Sequence, residues 1–292
     1  MPVNPELLSE LGIVVPEADM RLMDRAQLAE LFAAQSSGRI MLAPLMRSLI
    51  VQAHGAIESG SEPPVRGNLR TFWYRYAKPV LVRIPDDDFA KTPPYDTMIR
   101  EFRNLVLDQK LFAYVDFDFT DENWENRRIG TRRPDVLVFA EKTGWVRFLR
   151  EVHEDLGVST LALGGAPSAL TSEYTARALR AVMDGPGPVE LIGVVDFDPD
   201  GELIALAFQK QLAALGLTET RLQTVIDPGL YSEAEIRMFR YPLSKARQYE
   251  TKVSRWVDRS GGLDGQRFGL EAESLPLERV RRRVDALVRE VF

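Results

Sequence analysis

The 292-residue chain contains no cysteine, which excludes disulfides, thiolate-ligated zinc and a cysteine nucleophile and suits a reducing compartment. Its two histidines, His54 and His153, are too few for a histidine-rich metal centre. Any metal is therefore expected to be hard and oxygen-liganded, with Mg²⁺ first among them. No run of about 18 apolar residues occurs, and Met-Pro-Val-Asn-Pro-Glu at the start lacks the basic-then-apolar plan of a signal peptide. The expectation is a cytoplasmic protein without membrane contact, nucleoid-associated in a cell that has a nucleoid. A Gly-x-x-x-x-Gly-Lys-Ser/Thr phosphate loop is also missing, so a P-loop ATPase is not encoded. Positive charge is outnumbered: 37 Lys and Arg face 43 Asp and Glu, a net charge of −6. That balance argues against nonspecific coating of nucleic acid, which rewards clustered cations through counterion release.

What is present can build a sizeable core, since 45% of residues are hydrophobic, and the length suits two domains. The first part reads as helical. Leu22, Met23, Ala26, Leu28, Leu31 and Phe32 recur at helical spacing, as do Leu45, Met46, Leu49, Ile50, Ala53 and Ile57. Gly60 and the Pro63-Pro64 pair stop the second helix. A third helical unit surrounds Leu69 to Tyr76, and Asp96 is expected to cap a fourth carrying Met98, Ile99, Phe102, Leu105 and Val106. Leu111 to Phe119 has the aromatic and β-branched content of a strand. Helices leading into a small β element fit a winged-helix DNA-binding unit and a purely structural helical domain alike.

After Arg133-Pro134 the character changes. Asp135 to Ala140 is an apolar strand ending at Glu141, Trp145 to Leu156 is helical, and Thr160 to Leu163 is a short strand running into Gly164-Gly165. A helix capped near Thr171 or Ser172 and ending at Asp184-Gly185 precedes a strand at 189–195. A helix from Glu202 to Leu215 then stops at Gly216. Strands alternating with helices predict a parallel sheet with right-handed crossovers, hence an α/β class.

Glu141 ends one predicted strand, and Asp196 and Asp198 follow another. In a parallel sheet both ends open on the same edge, so three carboxylates can converge on one Mg²⁺. Phosphodiester cleavage needs such a site, because negative charge builds on the phosphate and the leaving oxygen. The same acids would serve equally as caps and turn residues. Asp196-x-Asp198-x-Asp200-Gly201 also imitates the opening of a calcium-binding loop, but its twelfth position is Ala207 where that loop needs Glu.

Together, Glu141-Lys142 after an apolar strand, Gly164-Gly-Ala-Pro167 before a helix with Thr175-Ala-Arg177, and Asp196-Phe-Asp-Pro-Asp-Gly201 resemble the Toprim domain of the A subunit of topoisomerase VI. The meiotic double-strand-break transesterase shares this pattern, and Leu270-Glu-Ala-Glu-Ser-Leu-Pro276 is similar to the acidic segment late in that domain. The resemblance covers roughly residues 42 to 290. It implies an N-terminal helical extension over 1–40, a winged-helix domain over 41–130 and a Toprim domain, a Rossmann-like parallel sheet, over 131–292.

The family couples its metal site to a winged-helix tyrosine with an arginine four residues earlier. Gly67-Asn-Leu-Arg70-Thr-Phe-Trp-Tyr74-Arg-Tyr76 is similar, and a spacing of four on a helix puts Arg70 and Tyr74 on one face. A guanidinium there would favour the phenolate and hold a phosphate. Without the resemblance a tyrosine in this aromatic run reads as a packing residue, and Tyr76 is the second candidate. The resemblance implies that Tyr74 attacks duplex DNA to form a 5′-phosphotyrosyl bond, that Glu141, Asp196 and Asp198 hold Mg²⁺, and that Arg70 positions the phosphate. It also implies a homodimer and, for strand passage, a separate ATPase B-type subunit. Two basic clusters, Arg66, Arg70, Arg75, Lys78 and Arg83, and Arg127, Arg128, Arg132 and Arg133, read either as solvated faces or as DNA contacts, with Arg66, Arg75, Lys78, Arg132 and Arg133 the candidates for the latter. The alternatives are a Toprim nuclease of the plasmid-defence kind, which hydrolyses DNA without a tyrosine intermediate, and a noncatalytic DNA-binding or scaffold protein.

Overall fold

A computed structural model describes residues 5–85, 93–183, 185, 187–263, 265 and 267–291. The chain packs as two compact units, Met1–Asp121 and Glu122–Phe292.

The first unit is helical. Its elements are α1 (Pro5–Glu10), α2 (Arg25–Phe32), α3 (Leu42–Glu58), α4 (Leu69–Phe72), α5 (Lys78–Leu81) and α6 (Pro94–Arg103). α2 begins only after Asp24, whose side chain accepts from the Gln27 N–H in a reciprocal capping box. Leu22 and Met23, expected within that helix, therefore precede it, and Leu22 is exposed. α3 follows the predicted period, burying Leu45, Met46, Leu49, Ile50 and Ala53. α4 runs into a π-helical turn, Trp73–Ala77, before α5. Asp96 does not cap α6. Pro93 stands at the cap and Pro94 opens the helix, which places Asp96 in the first turn, where a carboxylate suits the positive end of the dipole.

The strand expected over Leu111–Phe119 is absent. Tyr114–Phe117 forms a 3₁₀ turn, and the aromatic residues instead build the core of the unit. Phe102 packs edge-on to Phe72 at 4.8 Å and to Phe117 at 5.2 Å, and Phe117 stacks on Phe119 at 5.4 Å. Strand-like composition was here a signature of ring packing.

The second unit is α/β. Its strands are β1 (Arg127–Arg128), β2 (Arg133–Ala140), β3 (Val158–Ala162), β4 (Val189–Val194) and β5 (Thr220–Thr224), with a separate two-stranded antiparallel pair of β6 (Tyr241–Pro242) and β7 (Phe268–Gly269). The five-stranded sheet has the order β1-β3-β2-β4-β5. The last four strands are parallel, and β1 pairs antiparallel with β3 at the edge. That pairing ties Arg127 and Arg128 into the second unit, ahead of the expected boundary at 130/131.

Helices α7 (Val146–Leu156), α8 (Ala169–Val182) and α9 (Pro199–Ala214) make the crossovers, followed by α10 (Glu233–Phe239), α11 (Arg247–Ser260) and α12 (Leu277–Glu290). Val136, Val138 and Ala140 of β2 face α7 and α12, while Leu137 and Phe139 face α8 and α9. A strand buried on both faces reads as an unbroken apolar run, as 136–140 does. α8 starts at Ala169, capped by the Ser168 hydroxyl, which accepts from the Thr171 N–H. The cap thus lies upstream of Thr171 and Ser172. The expected helix end at Asp184 lies outside the described residues. No helix among those described is long and apolar enough to cross a membrane.

Candidate metal centre and nucleophile

From β2 the chain crosses to β3 on one side, and from β4 it proceeds to β5 on the other. The carboxyl ends of β2 and β4 thus form the topological switch point, where open α/β sheets bind ligands. Ala140 and Val194 are register partners, and the Glu141 N–H donates to the Val194 carbonyl at 3.2 Å. Glu141 therefore stands one residue beyond the end of β2, and Asp196 follows β4 on the adjoining strand.

The turn after β4 is fixed by Asp198 and Gly201. Asp198 caps α9, its Oδ1 accepting from the Gly201 N–H at 2.7 Å. A Cβ on Gly201 would lie 2.2 Å from the Asp196 carbonyl oxygen, so only glycine lets the helix start so close to the strand end. The physical content of the Asp-x-Asp-Pro-x-Gly pattern is a cap, a proline in the first turn and a backbone contact that no side chain can enter.

The second oxygen of Asp198 accepts from the Tyr241 phenol at 2.5 Å. Burial, and then the bond to Asp198, push that phenol far above the usual tyrosine range, so it stays a donor. The segment after β7 docks beside the same turn. Phe197 and Leu270 exchange backbone hydrogen bonds of 2.9 and 3.1 Å, and the Ala272 N–H donates to Asp196 Oδ1 at 2.8 Å. This brings Glu271 and Glu273 to Asp196, and oxygens of the three acids lie within 4.8 Å of one another. Lys142 stands among them, its Nζ 3.0 Å from Asp196 Oδ2 and 2.8 Å from both Glu271 Oε2 and Glu273 Oε2. Burial opposes the charge of this ammonium, but its bonds to Glu271, Glu273 and Asp196 prevail and raise its pKa.

Glu141 Oε2 is buried and has no hydrogen-bond partner. Burial, reinforced by the charges of Asp196 and Asp198, pushes its carboxyl up to about 7. Asp196 is also raised, chiefly by burial. A buried carboxylate oxygen without a donor, next to two more acids and no imidazole or thiol, fits a hard divalent cation. Of the expected ligands Glu141, Asp196 and Asp198, only Asp196 belongs to the acidic group whose oxygens converge within 4.8 Å among the described residues; Glu141 and Asp198 stand outside it. Of the other groups, Glu271 and Glu273 belong to the late acidic segment already noted in the sequence. Tyr241 carries no sequence signal, because a two-residue strand paired with β7 brings it to Asp198 from far along the chain.

In the first unit Tyr74 lies in the π-helical turn with 57% of its surface exposed. Arg70 and Lys78 are exposed as well, and the Lys78 ammonium sits 5.1 Å from the centre of the Tyr74 ring. Phe72, Tyr76 and Ala77 are buried. Tyr76, the second candidate, is 3% exposed, its hydroxyl has no partner, and burial raises its pKa. A group so placed cannot reach a phosphate.

Three cations of the expected DNA-contacting set are held inside their own units. Arg75 bonds Glu62 at 2.7 Å and the Pro64 carbonyl at 3.2 Å, Arg132 bonds the Asp155 carbonyl at 2.5 Å, and Arg133 forms a fork with both oxygens of Asp135 at 3.0 and 2.8 Å. Arg66 is exposed with Asp118 3.5 Å away. No protein-family model matches the chain, and no curated protein matches it.

Proposed function

We propose that the chain cleaves double-stranded DNA in a Mg²⁺-dependent reaction, as a transesterase of the topoisomerase VI A-subunit type. The observation that carries this reading is the partnerless buried oxygen of Glu141 beside Asp196 and Asp198 at the switch point of a parallel sheet. Mg²⁺ bound there would offset charge on the phosphate and the departing oxygen.

Tyr74 supplies the nucleophile. Its phenolic oxygen bonds to phosphorus as the bond from phosphorus to the 3′ oxygen breaks. The phenol proton is lost to solvent, and the 3′ oxygen leaves to become a hydroxyl. Arg70 and Lys78, exposed along the same helical segment, neutralise the phosphate. Since the phosphodiester is replaced by a phosphotyrosyl ester of similar energy, resealing needs no nucleotide, and ATP-driven strand passage would fall to a separate B-type subunit. Two strands need two tyrosines, which a homodimer provides. On this reading the first unit is the helical part of a winged-helix domain, the second is a Toprim domain, and the protein works in the cytoplasm on the nucleoid or on plasmids.

The test is incubation with supercoiled plasmid and Mg²⁺ followed by a detergent quench. Protein joined to 5′ DNA ends, lost in Tyr74→Phe, supports the transesterase. Free ends that persist in Tyr74→Phe assign the same acids to hydrolysis. Duplex binding with intact plasmid leaves a noncatalytic binder.

A further inference from the structure

The acidic site contains more carboxylates than one divalent ion requires. Glu141, Asp196, Asp198, Glu271 and Glu273 all gather at the ends of β2 and β4. Asp198 is held by the Gly201 N–H and the Tyr241 phenol, and the other four fall into two groups with different partners. Glu141 has a buried oxygen that nothing satisfies. Asp196, Glu271 and Glu273, whose oxygens approach one another as the ligands of a cation would, surround the Lys142 ammonium, which touches all three.

We propose that the Lys142 ammonium is a built-in cation filling the second cation position of this site, so that each chain binds one divalent ion and not two. The inference rests on the metal reading of Glu141, Asp196 and Asp198 above. Its own basis is separate, because three carboxylates brought together from two distant segments would repel one another without a positive charge between them. Lysine suits this position better than arginine, being a compact point charge with three donors to give to three separate acceptors. A divalent ion entering the same space would have to displace it or stand against its charge. Lys142 follows Glu141 directly in the chain, so the two neighbours would share the work, one binding the exchangeable ion and the other serving as the permanent one. The docking of Leu270 on Phe197, which sets Glu271 and Glu273 in place, gives the late acidic segment its role: it fixes the lysine.

Mn²⁺ binding to the full chain, followed by isothermal titration calorimetry and by electron paramagnetic resonance of the free ion, tests this without any DNA cleavage. Wild type should bind one Mn²⁺ per chain and Lys142→Arg one. Lys142→Met should bind two, and adding Glu271→Gln and Glu273→Gln to it should return the number to one. Two ions on the wild type would overturn the inference with no variant needed. One ion on both wild type and a folded Lys142→Met, judged by an unchanged melting profile, would also overturn it while leaving the metal reading intact. No ion on the wild type would remove the metal reading and this inference together.

Discussion

The phenol of Tyr241 donates to Asp198 Oδ2 at 2.5 Å while Asp198 Oδ1 accepts from the Gly201 N–H at 2.7 Å. One carboxylate is thus held from both ends, by a helix terminus and by a residue of the β6–β7 pair. Gly269 makes room for this, since a Cβ there would stand 2.6 Å from the Tyr241 ring. The two bonds fix the carboxylate plane, which is how groups behind a metal ligand set its affinity.

Tyr241→Phe is accordingly expected to weaken Mn²⁺ binding about 10- to 100-fold, the usual cost of losing such a partner. The variant should unfold near the wild-type midpoint, since the ring remains to fill its place. Calorimetric titration alongside urea unfolding separates the effects. An unchanged Mn²⁺ affinity would show that Tyr241 does not orient Asp198.

Gly201→Ala puts a methyl group 2.2 Å from the Asp196 carbonyl oxygen. All three nearest atoms are Asp196 backbone, so relief requires α9 to move away from the end of β4. The expected loss is about 1 to 3 kcal/mol, as for overpacking in a core, with Mn²⁺ affinity falling too because Asp196 and Asp198 flank the strained contact. Chemical denaturation in the absence of metal measures the first effect. A variant as stable as wild type would mean that the turn has slack.

Glu141 gives a pH dependence with a defined sign. Folding raises its carboxyl from the ordinary 4.5 to about 7, mainly by burial. The folded chain then holds this proton more tightly than the unfolded one. Between those two values the contribution of Glu141 to stability falls as pH rises, and above about 7 the loss is complete. Glu141→Gln does not titrate, so without divalent ions it should gain on wild type as pH increases through that window. The same window should reverse for metal: Mg²⁺ competes with the proton, and its stabilisation of the wild type should grow as pH approaches 7. Unfolding curves at about pH 5 and about pH 8, with and without Mg²⁺, decide it, and parallel profiles for wild type and Glu141→Gln would count against it.

The parts of this site that could be read from sequence are those where one local pattern carries the whole message. β2 and β4 are buried on both faces, so they appear as apolar runs, and Glu141, Asp196 and Asp198 are read from their ends. β5, Thr-Arg-Leu-Gln-Thr, is an edge strand with no residue fully buried, and its composition says little. The stretch around Phe112 to Phe119 misled because ring packing and strand formation favour the same residues. The positions of Tyr241 and Lys142 depended on pairing across long separations, of β6 with β7 and of Phe197 with Leu270. Neither pairing leaves a periodic trace.

The two tyrosines of the π-helical segment give the last prediction. Tyr74 is exposed beside Lys78, and Tyr76 is buried with an unpaired hydroxyl under Arg21 and Arg75, each 5.1 Å from its ring. An unsatisfied buried hydroxyl costs desolvation without return, so Tyr76→Phe should be neutral or stabilising by up to about 1 kcal/mol. Tyr74→Phe, on the surface, should leave stability within about 0.5 kcal/mol of wild type. The two should differ in the opposite direction on DNA: protein-linked ends persist in Tyr76→Phe and vanish in Tyr74→Phe. Residues two apart on a helix do not share a face, which is why the two rings meet such different surroundings. Loss of adducts in Tyr76→Phe with retention in Tyr74→Phe would exchange their roles and require the buried ring to swing out before reaction.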